Sequence, residues 1–366
     1  MSTTRTALVA AAVAAAVLLS ACTAAPDAVP STTPTVVDTR PLAETDLLDD
    51  PRAYVGASTA VLGATSIEPV TGAAAPSFPV TVTSHDLDGD TDVTIKKADA
   101  VIGLDISGSI GATIFGLGLG DRVVGRDIST TFPEAADLPV ITSGGHSVNS
   151  EAIIALRPDL VITDGTVGPI DVLLQLRDAG IAVVFVDTDP SLNGVGDLAR
   201  NVAAALGSAE AGELLATRLD GELAAKVAEI AAIAPTGDER LRMMFLYLRG
   251  SAGVYYLFGE ETGADVLIES LGGIDVAGEI GWSGMKPMTD EALIAANPDL
   301  ILVMTDGLSS VGGVDGLLDS KPAIALTLAG QNKRFVDMAD GEILSFGPRT
   351  PAVLDALARA IYAPAR

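Results

Sequence analysis

A single cysteine, Cys22, occurs in the chain, so neither a disulfide framework nor a thiolate metal cage can be assembled. Histidine is almost as scarce: His85 and His146 are the only two, which leaves few possible catalytic triads. No G-x-S-x-G, Walker or H-E-x-x-H sequence is present, so a nucleophile elbow, a P-loop and zinc-protease chemistry find no support, and the chain does not read as an enzyme. Basic residues are outnumbered 22 to 48, for a net charge of −26. That balance argues against binding phosphate backbones and makes nucleic acid an unexpected partner. The negative charge either steers the protein towards positive patches or reflects the general chemistry of its proteome, and the sequence leaves both readings open. What is present is a 48% hydrophobic composition over 366 residues, enough for a substantial core and for two or three domains.

The first residues set the address. Arg5 precedes an uncharged run, Ala7 to Leu19, too short to span a bilayer comfortably and suited to the core of a signal peptide. The run ends in Leu19-Ser20-Ala21-Cys22, which resembles the lipobox of bacterial lipoproteins. The reading is a signal peptide over residues 1–21 and lipidation at Cys22, with an ordinary secretory signal as the plainer alternative. Acyl chains would hold the protein at the outer face of the cytoplasmic membrane. Residues 22–77 are rich in Ala, Thr, Pro and Asp and are expected to form a flexible tether.

Ordered structure is expected from Pro79-Val-Thr-Val-Thr83, returning through Val93-Thr-Ile95 as a hairpin. Its acidic turn, Asp86 to Asp92, lacks the glycine and glutamate of a calcium loop, because Thr91 and Lys97 stand there. The glycines of Gly116-Leu-Gly118-Leu-Gly120 fall at a helix end, where termination explains them better than nucleotide binding.

The strongest pattern is an internal echo. Asn149-Ser-Glu-Ala-Ile-Ile-Ala-Leu-Arg-Pro-Asp-Leu-Val-Ile-Thr-Asp-Gly165 returns as Thr289-Asp-Glu-Ala-Leu-Ile-Ala-Ala-Asn-Pro-Asp-Leu-Ile-Leu-Val-Met-Thr-Asp-Gly307. Each copy reads as a helix with one apolar face, a proline that stops it, and a buried strand. Two copies imply two similar α/β lobes, at residues 78–206 and 236–366. Between them, Ser208 to Ala234 carries apolar residues at helical intervals without proline, which predicts one long linking helix over 207–235.

At several points the chain resembles a known family, the lipid-anchored haem-binding proteins of bacterial haem ABC importers, in the helix-linked class that also serves siderophores and cobalamin. The carriers are Gly116-Leu-Gly-Leu-Gly-Asp-Arg-Val-Val-Gly-Arg126, Gly145-His-Ser-Val-Asn-Ser-Glu151, Phe245-Leu-Tyr-Leu-Arg-Gly250, Gly253-Val-Tyr-Tyr-Leu-Phe258 and Phe346-Gly-Pro-Arg-Thr350. The resemblance implies two Rossmann-like lobes joined by one long α-helix, the class III periplasmic-binding-protein architecture. It also implies haem b as the transported ligand, an ABC permease with its ATPase as partners, and haem-donor proteins upstream.

His146 and Tyr247 are, on this resemblance, the axial ligands of haem iron, one from each lobe. Neutral imidazole can fill an axial position. A cation two residues from a phenol favours its phenolate, a hard donor for ferric iron, and Arg249 is expected as that supporting partner. Tyr255, Tyr256, Trp282 and Met304 are candidates for the apolar pocket, and Lys286 and Arg349 for the propionates. Glu151 and Glu291, equivalent in the echo, suit the helix starts where they stand; the resemblance makes them the points that dock on permease arginines. A ferric siderophore or cobalamin is the alternative cargo within the class, and a two-lobed α/β enzyme or a purely structural lipoprotein the alternative outside it.

Overall fold

The computed structural model describes residues 38–143, 145–250 and 255–365; Cys22 and the signal peptide lie outside them. Two sheets organise the chain. The first has four parallel strands in the spatial order Val123–Arg126, Val101–Leu104, Leu160–Thr163, Ala182–Phe185. Its central pair, Val101–Leu104 and Leu160–Thr163, is buried at every position, as expected of parallel strands covered on both faces. In the second sheet Ser58–Thr59, Phe335–Met338, Leu300–Met304 and Arg242–Leu248 run parallel. Tyr255–Phe258 and Met285–Pro287 then extend it antiparallel, and Ile274–Asp275 adds a short parallel pairing to Arg242–Leu248.

The helix Ala209–Ala231 stands between these sheets in the chain and, at 23 residues, is about 34 Å long. Ala211, Leu215, Leu219, Leu223 and Ile230 are its buried stripe, packed against Leu192–Ala205 and the final helix Thr350–Tyr362. Lys226 fixes it to the final helix, its Nζ lying 2.7 Å from Asp355 Oδ1.

Both copies of the echo fold alike for identifiable reasons. Asn149 Oδ1 accepts from the Ala152 amide at 3.1 Å, and Thr289 Oγ1 from the Ala292 amide at 3.3 Å, so each helix opens on a side-chain cap. Both close on a left-handed residue, Arg157 at φ 51° and Asn297 at φ 43°, ahead of the proline that prevents continuation. The copies part company after the strand: Asp164-Gly165 forms a turn, whereas Thr305–Ser310 is a helix.

One expectation fails. Within the anticipated tether of residues 22–77, the described part from 38 onwards is a packed strap. Leu42, Ala60, Leu62 and Ile67 are buried, and Ser58–Thr59 forms an edge strand on Phe335–Met338. Backbone hydrogen bonds run from Leu48 to Tyr362, from Val70 to Gly116 and from Ser77 to Gly207. The strap is locked by Arg334, almost fully buried, which donates to Ser58 Oγ at 3.0 Å and the Ile361 carbonyl at 2.6 Å, and stacks 4.6 Å from the Tyr54 ring centre. Its apolar residues are scattered among Pro, Thr and Asp, with only a weak period around Tyr54 to Leu62 to announce them. They fill gaps on surfaces built by distant segments.

The hairpin Val80–Asp86 with Gly89–Ile95 is present. Asp86 is engaged by Arg177, at 2.5 and 2.8 Å, and the guanidinium holds its carboxyl down at about 2. His85 lies on the surface between Asp90 and Asp187.

Candidate functional site

A cavity of about 700 Å³ receives residues from loops and helices that follow the strands of the first sheet, and from strands and loops of the second. The first half contributes His146 at the tip of a small hairpin, Thr142–Ser143 with Ser147–Val148. That tip needs a residue free of a Cβ: Gly145 has φ 95°, a conformation that costs glycine little. The Val148 amide bonds to the Gly168 carbonyl at 2.7 Å, fixing the hairpin to the next loop.

The wall from the second half follows from the period of two along a strand. Tyr247 pairs in register with Tyr256 and Phe245 with Phe258, so these four rings share one sheet face. Phe245 and Phe258 stack at 5.2 Å, and Tyr247 lies 5.8 Å from Phe258 and 6.4 Å from Tyr256, centre to centre. Arg249 stands at the strand's end, where its Nε donates to the Tyr247 hydroxyl at 3.1 Å, with the guanidinium carbon 5.9 Å from the ring centre. His146, Tyr247, Arg249, Tyr256 and Met304 all line the cavity.

Four expected pocket residues do not. Tyr255 points to the other face of its strand, buried among Leu246, Leu257 and Met288, and its hydroxyl donates to Asp290 at 2.6 Å. Burial and then that carboxylate push its phenol well above the usual range. Trp282 packs on the same core and donates Nε1–H to the Leu257 carbonyl. Lys286 sits opposite Leu257 on the edge strand and is exposed; its neighbour Met285, opposite Phe258, lines the cavity instead. Arg349 is 4% exposed, donates to the Gly341 carbonyl at 2.9 Å and pairs with Glu342 at 3.5 Å. It braces the wall at Gly341 from behind. A one-residue alternation decides for Tyr255 and Lys286, core packing for Trp282 and a buried counter-charge for Arg349, and none of these is visible from residue type.

Residue type also hid a group of carboxylates. Asp105 is buried and accepts from the Ser109 and Ile110 amides at 2.8 and 2.9 Å and from Ser107 Oγ at 2.7 Å. Desolvation, followed by the charges of Asp127 and Asp164, outweighs these donors and pushes its carboxyl up to about 7. Burial likewise raises Asp127 and Asp164, the latter a lining residue beside Thr166. Next to this group the Ser109 and Ser345 hydroxyls meet at 3.3 Å, a polar contact between the two halves. The Asp-Ile-Ser-Gly-Ser turn ahead of a helix was the available signal, since its first carboxylate takes the helix's free amides. Among the described residues no group of three His, Cys, Asp or Glu gathers as a metal cage.

Residues 106–340 match the family model described as "Periplasmic binding protein". The chain belongs to this family. Its fold is that of the class III periplasmic binding proteins, and its homologues are substrate-binding proteins of ABC transporters. The solved structure of the haem-binding protein HmuT superposes on it with a TM-score of 0.79 at 41% identity, over 86% of this chain and 99% of that one. Among curated proteins, the uncharacterized ABC transporter substrate-binding lipoprotein YvrC of Bacillus subtilis is 29% identical over 78% of this chain and 86% of its own length. A cobalamin-binding protein of Halobacterium salinarum is also 29% identical, over 62% of this chain and 58% of its own. Family and neighbours alike are named as binding proteins.

Proposed function

We propose that this chain captures one or more haem molecules in the cavity between its halves and delivers them to an ABC permease and ATPase for haem and iron uptake. The lobes are residues 78–206 and 236–366, joined by the helix within 207–235. The observation that carries the reading is that His146 and Tyr247, from different halves of the chain, line one cavity, with Arg249 donating to the tyrosine hydroxyl. An imidazole and a phenol without a supporting carboxylate cage suit an iron that arrives with its equatorial positions already filled. Tyr256, Phe258 and the two methionines give the apolar walls that a flat macrocycle requires. Solved variants of HmuT replace one histidine, one tyrosine and one arginine by alanine, the last two standing two positions apart, as Tyr247 and Arg249 do here.

Lipidation at Cys22 would place the protein outside the cytoplasmic membrane, in keeping with the lipoprotein YvrC. Glu151 and Glu291, both exposed in the first turns of the echoed helices, are the docking points for the permease. Haem-donor proteins upstream complete the route.

Titration of the mature protein with haemin tests the reading. We expect a shifted Soret band and ferric charge-transfer bands that change in His146→Ala and Tyr247→Ala, with affinity lowered about tenfold or more in Arg249→Ala. The cobalamin relative favours one second reading, and saturable cobalamin binding with no response to haemin would replace the first by it.

A further inference from the structure

The two echoed helices, Ser150–Leu156 and Asp290–Ala296, show an unusual division between what is buried and what is repeated. Three positions are exposed in both: 151 and 291, 154 and 294, 155 and 295. At all three the residues are identical: Glu, Ile and Ala. The position buried in both, by contrast, holds Ile153 in one copy and Leu293 in the other. Folding alone demands the reverse, because packing constrains the inner face and leaves the outer face free.

The outward residues are also poorly suited to water. Ile154 is 47% and Ile294 39% exposed, each lying one turn beyond its glutamate and therefore on the same helix face. One exposed isoleucine needs no explanation, but the same apolar residue beside the same carboxylate at both places does. Among the described residues neither Glu151 nor Glu291 forms an ion pair. Each helix follows a cavity-lining residue in the chain, His146 five residues before Glu151 and Met285 six residues before Glu291.

We propose that Ile154 and Ile294 are the apolar anchors of a two-point interface, each set beside a glutamate. Its occupant is a membrane-embedded partner presenting, in two equivalent copies, a cation for the carboxylate and an apolar recess for the isoleucine. Ala155 and Ala295 are small enough to let that surface approach closely. The inference rests on the permease-docking reading above and adds to it the groups that carry affinity, since rim charges mainly set encounter rate and register.

The test uses haem-loaded protein and the cognate permease–ATPase complex in nanodiscs, with empty nanodiscs as the control. Ile154→Ser and Ile294→Ser are each expected to weaken binding to the complex about tenfold, and together about a hundredfold because the sites are independent. The haemin titration and melting temperature should not move. A double serine variant that binds like the parent, while Glu151→Lys with Glu291→Lys binds weakly, overturns the apolar anchors and leaves the docking reading standing. If both pairs of variants bind like the parent, docking at these helices and the inference fall together. Equal binding to empty nanodiscs would assign the face to lipid and overturn the proposal.

Discussion

Tyr255 and Tyr256 are adjacent, identical in chemistry and opposite in fate. One is fastened to Asp290 in the core and the other lines the cavity, because consecutive strand residues face opposite sides. At this scale the buried carboxyl of Asp105 makes a measurable prediction. Its folded value of about 7 lies above the ordinary 3.8, so between about pH 4 and 7 the folded chain holds a proton that the unfolded chain has released, and stability falls as pH rises through that window. Above about pH 7 the penalty is constant. Asp105→Asn cannot ionise, so its melting temperature relative to the parent should climb from pH 4 to 7 and then level off. A difference that stays flat with pH, or falls, would remove the buried acid from the account. The loss of one acceptor for the Ser109 and Ile110 amides lowers the variant's absolute stability but not this slope.

At the scale of elements, period and punctuation predicted most of the secondary structure. Strand Leu160–Thr163 and helix Ser150–Leu156 begin and end where the pattern places them, since a cap, a proline and a β-branched run are local signals. The strap over residues 38–77 was illegible for the opposite reason: its order comes from surfaces far along the chain, such as the edge of Phe335–Met338. Removing residues 38–77 is therefore expected to do more than shorten a linker. Losing Leu42, Leu62 and Ile67, at about 1.5–3 kcal/mol each, together with the contacts of Arg334, should lower the melting temperature by about 10 °C or more or prevent folding. Unchanged thermal denaturation of the truncated protein would restore the tether.

For the molecule as a whole, the proposed ligands come from different halves of the chain, so on the proposed reading binding of one ligand to both would couple capture to the approach of the halves. The Ser109–Ser345 contact marks where they meet. On the proposed reading delivery is separable from capture, since Glu151 and Glu291 do not line the cavity. Reversing both to Arg should impair haem uptake into proteoliposomes carrying the permease and ATPase, while the haemin titration remains that of the parent. A matched loss of haem affinity would show that the glutamates serve the cavity rather than the partner.

The sequence by itself determined that the chain is a two-part α/β protein with a long linking helix, poor in catalytic motifs, with His146 and the Tyr247–Arg249 pair as its distinctive chemistry. The fold features rest on local periodicity, caps and residue scarcity, all written in order along the chain, whereas the choice of His146 and the Tyr247–Arg249 pair rests on the family resemblance. The tertiary structure alone decided which aromatic and basic residues face the cavity, why Arg349 braces a wall and Lys286 stays outside, and that Asp105 is stripped of water. It also decided that the expected tether is a strap. Each of these depends on strand register or on burial by segments that only the fold brings together, and neither quantity exists until the sheets have formed and packed.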